Sequence, residues 1–383
     1  MRVVAAPDSF KGSASATAAA AAIARGVLAA APDASVVEVP LADGGEGTVE
    51  ALVAARGGAY AEAAVADPLG RKITARYGFL SDGKTAVIEM AAASGLPLLS
   101  REERNPMVTT TFGTGQLILD AISRGASEIV IGIGGSATVD GGTGMARALG
   151  VRFLDAQGKE LTGGGEILQR IRRIDVSGRD KCVNGVRITA ASDVTNALTG
   201  PEGAAAVYGP QKGATRETVA ALDAGLANLA ARTKADLGVD IADVPGGGAA
   251  GGLGAGLRAF LGAKIRSGIE IVLEAVDLAW KVRDADLVFT GEGRVDGQSA
   301  YGKAVSGAAQ TAQKAGVPCI LLAGAIGEGA GVMLERGVSA MFSIAQGPAG
   351  EGEMMAQAEA LIEAAAQQAT RAFLAGFLRE AHS

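Results

Sequence analysis

Six short segments gather acids, bases and hydroxyls among glycines, the mixture of side chains that binds anions and moves them. PDSFKGS at residues 7–13 sets Asp8, Ser9 and Lys11 just ahead of a helical pattern. Free N–H groups and the dipole at such a helix start favour a negative charge, although an ordinary Ser/Asp cap with an exposed lysine has the same composition. ADGGEGT at 42–48 surrounds Gly44 and Gly45 with Asp43 and Glu46. A tight turn accounts for the glycines but has no use for two carboxylates. GIGGSATVDGGTG at 132–144 follows an apolar run and precedes another helix, and Gly134, Gly135, Ser136 and Thr138 give it the make-up of a phosphate cradle. ASDVTNAL at 191–198 supplies Asp193 and Asn196, a pair able to hold Mg²⁺ or to orient a hydroxyl, or simply to form an Asx turn. GPQKGA at 209–214 adds Gln211 and Lys212, the lysine suited to neutralising phosphate. GEGRVDGQSAYGK at 291–303 carries Glu292, Arg294, Asp296, Ser299 and Lys303.

Two near-matches to nucleotide motifs are set aside. Residues 297–303 fit G-x-x-x-x-G-K, but Ala304 stands where a P-loop places the Ser or Thr that holds magnesium. Residues 246–251 fit G-x-G-x-x-G without a preceding strand or a following acid, so close packing or a hinge is the expected use.

Histidine narrows the chemistry further. The chain has one, His382, next to its last residue. Triads and metal sites built on imidazole are therefore excluded together, and proton transfer falls to Asp, Glu or Lys. Cys182 and Cys319 lack metal-type spacing and read as small buried residues of a protein from a reducing cytoplasm. Trp280 reads as a core or domain-junction residue. A net charge of −6 speaks against a nucleic-acid surface. The apolar start at 3–6 is cut short by Pro7, Asp8 and Lys11, too soon for a secretory leader, and no stretch is long enough for a membrane span. A soluble, cytoplasmic protein is the expectation.

These loops need a scaffold that aims them at one place. Apolar runs at 3–6, 36–39, 287–290, 320–323 and 341–344 each end in a polar loop and are followed by a helical pattern, which is the signature of βα units. Five such units make a flavodoxin-like, doubly wound parallel sheet with its ligand site near the first and third strands. Between the second and third units the pattern changes. Runs at 63–66, 73–79 and 86–89 joined by PLG and SDG turns predict antiparallel hairpins, followed by helices near 115–124 and 144–149 and strands at 129–133 and 187–191. The expected architecture is a discontinuous sheet domain, 1–62 with 282–383, interrupted by an inserted mixed α/β domain at 63–281. The active site is expected in the cleft between them, closing over its substrates to exclude water.

Taken together and in order, APDSFKGS, ADGGEGT, the strand-like EMAAASGL at 89–96, TTTFGTG, IGIGGSATVDGG, SDVTN, GPQKGA, VPGGGAAGG and TGEGRVDGQS resemble the bacterial glycerate kinase family, whose flavodoxin-like domain carries an inserted domain. The resemblance runs over nearly the whole chain, with Ala197 in place of the usual proline after Asn196. It implies transfer of a phosphoryl group from ATP, with a divalent metal such as Mg²⁺, to D-glycerate, giving 2-phosphoglycerate. On that reading Lys11, Asp193 and Asp296 are catalytic, the two aspartates serving between them as metal ligand and hydroxyl-orienting base. Asp8, Ser9, Asp43, Gly44, Gly45, Glu46, Gly134, Gly135, Ser136, Thr138, Asn196, Gln211, Lys212, Glu292, Arg294 and Ser299 bind substrate or phosphate. The competing readings are a kinase for another small hydroxy acid or sugar acid, a non-catalytic anion sensor, and a flavin enzyme by analogy of fold.

Overall fold

A computed structural model describes residues 1–297, 304–347 and 350–380. The chain forms two compact units, one of Met1–Asp43 with Ile269–Ser383, the other of Gly44–Gly268.

The first unit is a five-stranded parallel sheet. Its strands are β1 (Arg2–Ala5), β2 (Ser35–Glu38), β11 (Leu287–Val295), β12 (Cys319–Ile326) and β13 (Ala340–Ser343), in the order β13-β12-β11-β1-β2. Every pairing is parallel, and the strand order reverses between β1 and β11. Val3, Val4, Leu287 and Phe289 are fully buried, as continuous apolar strands covered on both faces require. Helix Ala16–Ala30, capped by Ser15, packs along helix Ala358–Glu380 through Ile23, Val27, Ile362 and Ala366. Gly26 permits that approach, because a β-carbon there would lie 2.2 Å from the carbonyl oxygen of Glu363.

The second unit is built on a mixed sheet of β3 (Gly58–Ala66), β4 (Lys72–Leu80), β5 (Thr85–Glu89), β6 (Glu128–Gly132), β9 (Arg187–Ala191) and β10 (Lys264–Arg266). In the order β10-β9-β6-β5-β4-β3, pairing is parallel as far as β5 and antiparallel beyond it. A separate antiparallel ribbon joins β7 (Arg152–Leu154) to β8 (Arg173–Asp175). The core gathers Tyr77, Ile88, Leu117, Ile131, Phe153, Leu226 and Phe260, with helices Phe112–Ser123, Arg216–Leu237 and Ala249–Leu261 contributing. The glycine run at 246–256 serves close packing: Gly251 sits at φ +67°, and a β-carbon there would lie 1.9 Å from the carbonyl oxygen of Thr138.

Several elements depart from the sequence reading. Helix Thr48–Arg56, expected beside β2, packs on β4 and β5, where Gly78 leaves room for Val49 and Val53. Ile269 and Leu273 of helix Gly268–Val276 seat against Gly307 of the first unit. For these reasons the chain passes between units at Asp43/Gly44 and Gly268/Ile269, against the joints read at 62/63 and 281/282. EMAAASGL is not a strand: β5 ends at Glu89 and Ala91–Ser94 turns helically, as alanine favours. Trp280 is 57% exposed and Cys182 is exposed; Cys319 is buried. Among the described residues no helix is long and apolar enough to cross a membrane.

Candidate functional site

In the first unit the loops after β1 and β11 rise side by side where the strand order reverses, the place at which open α/β sheets bind ligands. The N–H of Asp8 donates to the carbonyl of Gly291 at 2.8 Å, and that of Phe10 to Ala14 at 2.8 Å, so both loops are held by backbone bonds. Between them lies a cavity of about 380 Å³. Asp8, Ser9, Lys11, Glu292, Arg294 and Asp296 line its polar side, and Phe10, Ile344, Met354 and Met355 its apolar side.

Asp8 is a strongly perturbed acid of this group. It is 6% exposed, and its Oδ1 accepts the N–H of Ser9 at 2.6 Å. Burial, followed by the nearby Asp43 carboxylate, pushes its carboxyl up to about 7; Glu292 adds to the effect, while the Ser9 N–H and Lys11 oppose it. The hydroxyl of Ser9 is buried without a hydrogen-bond partner among the described residues. Such a hydroxyl at a cavity wall is a ready contact for a polar ligand. Arg294 Nε donates to Asp296 Oδ2 at 3.4 Å, a loose pair at the more open side. Ser299 and Lys303 lie outside the described residues.

In the second unit the loop at 132–144 is held from within. Asp140 is fully buried and accepts four bonds at 2.8–3.1 Å, from Thr111 N and Oγ1 and from the N–H groups of Gly142 and Gly144. Lys212, only 1% exposed, donates to Ser136 Oγ at 2.6 Å and to the carbonyl of Thr138 at 2.8 Å. Burial pushes its amine down to about 7, against the pull of Asp140. Its charge is therefore directed at the loop itself instead of lying open at the surface. The hydroxyl of Thr138 is buried without a partner among the described residues. Gly44, Gly45 and Gly134 serve close backbone contact, since a β-carbon on Gly134 would lie 2.7 Å from Gly45 Cα and one on Gly44 2.9 Å from the carbonyl oxygen of Ala191. Gly135 takes φ +73° before Ser136.

The remaining residues divide by whether a neighbour already holds them. Asp193 Oδ1 accepts Ser267 Oγ at 2.5 Å and remains half-buried. Asn196 spends both ends of its amide inside the unit, donating to the carbonyl of Glu202 at 2.8 Å and accepting Tyr208 OH at 2.6 Å. Glu46 and Gln211 are exposed. Among the described residues no cluster of three or more His, Cys, Asp or Glu is gathered for a metal.

Glu89 was not singled out from the sequence. It accepts the N–H of Val49 at 2.9 Å at the start of helix Thr48–Arg56, and burial holds its carboxyl above the usual range. Ser267 and Tyr208, the partners of Asp193 and Asn196, carry no motif that would have marked them. For Glu89 the one signal was its place at the head of EMAAASGL.

The chain is similar to several known proteins. A model of the glycerate kinase family matches residues 3–374. Glycerate 2-kinase of Escherichia coli K12 is 52% identical over 344 residues, 90% of each chain. Glycerate kinase of Halalkalibacterium halodurans is 49% identical over 95% of this chain and 96% of its own. A crystal structure of a Salmonella typhimurium LT2 protein assigned as glycerate kinase 2 superposes with a TM-score of 0.86 at 46% identity, covering 99% of both chains.

Proposed function

This chain belongs to the glycerate kinase family, and we infer that it transfers the γ-phosphoryl group of ATP to the 2-hydroxyl of glycerate. The observation that carries the reading is the 52% identity, over 90% of both chains, to a glycerate 2-kinase. The cavity at the sheet's switch point, with cations, carboxylates and a spare hydroxyl, supports it.

Phosphoryl transfer passes through a loose transition state, so catalysis rests on alignment and on neutralising charge. Lys11 and Arg294 line the cavity of the first unit and can hold anionic oxygens. In the second unit Lys212 keeps the loop at 132–144 in shape through Ser136 and Thr138. The N–H groups of Gly134, Ala137, Gly141, Gly142, Thr143 and Gly144 are already bonded within the unit, so only the loop's other N–H groups are left to meet phosphate.

Magnesium is usually held by one or two carboxylates together with the phosphates of the nucleotide. Either Asp193, in the second unit, or Asp296, in the first, fits that demand, each being partly exposed and steadied by a donor. When bound, the cation would neutralise charge building on the transferring phosphates. The net charge of −6 and the pair of free cysteines fit a cytoplasmic enzyme of small molecules.

Phosphorus NMR of the product from D-glycerate and ATP tests activity and position together. A phosphate on the 2-oxygen couples to one carbon-bound proton and gives a doublet. A triplet would move the reaction to the 3-hydroxyl, and absence of any phosphoglycerate would refute the assignment.

A further inference from the structure

Moving a phosphoryl group onto an alcohol releases a proton, and the first unit holds a carboxyl group placed to receive it. Asp8 stands on the cavity wall at the end of β1. Among the described residues only its Oδ1 has a hydrogen-bond partner, the N–H of Ser9. Beside it are the unpartnered hydroxyl of Ser9 and the cations Lys11 and Arg294. At about 380 Å³ the space lies near the small end of ligand pockets, roughly 300–1,000 Å³, and has ample room for a three-carbon acid.

We propose that glycerate binds in this cavity, its carboxylate against Lys11 and Arg294, and that Asp8 Oδ2 is the catalytic base for its 2-hydroxyl. This rests on the glycerate kinase reading and goes beyond it by assigning the acceptor's place and the proton's route. The bond from the 2-oxygen to the γ-phosphorus forms as the bond from that phosphorus to the β–γ bridging oxygen breaks. ADP leaves with the electron pair of the broken bond. The hydroxyl proton passes to Asp8, which returns it to water before the next turnover.

Of the other carboxylates, Asp296 is paired with Arg294, and Asp193 accepts a bond from Ser267. The charged groups that face Asp8 are Asp43 from the segment after β2, Glu292 from β11 and Lys11 from its own loop. Burial first, and then two acids against one base, bring the proton affinity of Asp8 close to neutral pH, the range in which a general base works best.

The test is the pH dependence of kcat for the wild type, Asp8→Asn and Asp8→Glu, by coupled ADP release with saturating ATP and glycerate. Wild-type kcat should rise with pH through a single ionisation near 7. Asp8→Asn should lose at least about a hundredfold in kcat and the ionisation with it, with KM for glycerate moving less than about threefold. Asp8→Glu keeps the acid and should retain the limb at reduced rate, which covers the case of an Asn variant that does not fold. A wild-type profile flat through pH 7, an Asn variant that keeps the limb, or one whose kcat stays within about threefold would overturn the proposal. Loss of the limb in Glu292→Gln but not in Asp8→Asn would overturn it in favour of Glu292. Wild type inactive with glycerate but active with another hydroxy acid refutes the substrate reading, and Asp8 is then judged with that acceptor. Inactivity with every hydroxy acid overturns both.

Discussion

Replacing Asp8 by Asn should stabilise the first unit at alkaline pH relative to the wild type, by an amount that shrinks as the solution is made acid. The folded chain raises this carboxyl from 3.8 to about 7, chiefly by burying it and secondarily through Asp43. Between those values the folded chain keeps a proton that the unfolded chain has released. The stability this proton contributes is fully present below the unfolded value and is lost as pH rises through about 7. From pH 5 to pH 8 the loss amounts to roughly 2–3 kcal/mol, at about 1.4 kcal/mol for each pH step below the folded value. Asparagine has no such proton, so the gap between variant and wild type should move by that amount in favour of Asn. Urea unfolding followed by fluorescence reads the right unit, because Trp280 is the only tryptophan and lies in helix Leu278–Val282. Asp43→Asn, which removes the second cause, should recover part of the same gap. A gap constant to within about 0.5 kcal/mol between pH 5 and pH 8 would refute the idea that burial holds a proton on Asp8.

Three further outcomes are expected. Asp193→Asn or Asp296→Asn should cut turnover at least about a hundredfold with circular dichroism unchanged, and near-normal rates in both would remove them from the reaction. Asp140→Ala strands several buried donors and should cost the second unit about 3 kcal/mol or more in chemical unfolding; a loss below about 1 kcal/mol would contradict the hydrogen-bond pattern. Lys212 has its amine lowered to about 7, so its contribution to stability is present above the ordinary value and is lost as pH falls toward 7. Stability of the second unit should therefore rise with pH between about 7 and 10 in the wild type, and Lys212→Met should lack that part of the slope in melts followed by circular dichroism.

How much of this was legible depended on the range of the interaction involved. The parallel strands announced themselves because strands buried on both faces need unbroken apolar runs, as at Val3, Val4, Leu287 and Phe289. The three-residue strands β7, β8 and β10 are too short for any pattern, and they were not anticipated. Helices Arg216–Leu237 and Ala249–Leu261 were also missed, the first being long but strongly polar and the second masked by its glycines. Helix Thr48–Arg56 was placed in the wrong unit because its partners on β4 and β5 are chosen by packing against Gly78, which its own sequence does not encode.

For the candidate site the division is similar. The sequence by itself determined which reactive groups are on hand: acids, lysines and hydroxyls in glycine loops, with imidazole absent but for His382. It also determined that those loops follow parallel strands, and hence that PDSFKGS and GEGRVDG share one end of a sheet. Only the tertiary structure decided what state each group is in. Asp8 holds a proton near neutrality because the fold strips it of water and sets Asp43 and Glu292, distant in sequence, beside it. Lys212, read as a phosphate-neutralising charge, is instead enclosed against Ser136 and Thr138, and Asn196 is spent on Tyr208 and Glu202. A side chain's chemical type is written in the sequence, but its proton affinity and free valences depend on solvent exclusion and on neighbours that folding alone brings near.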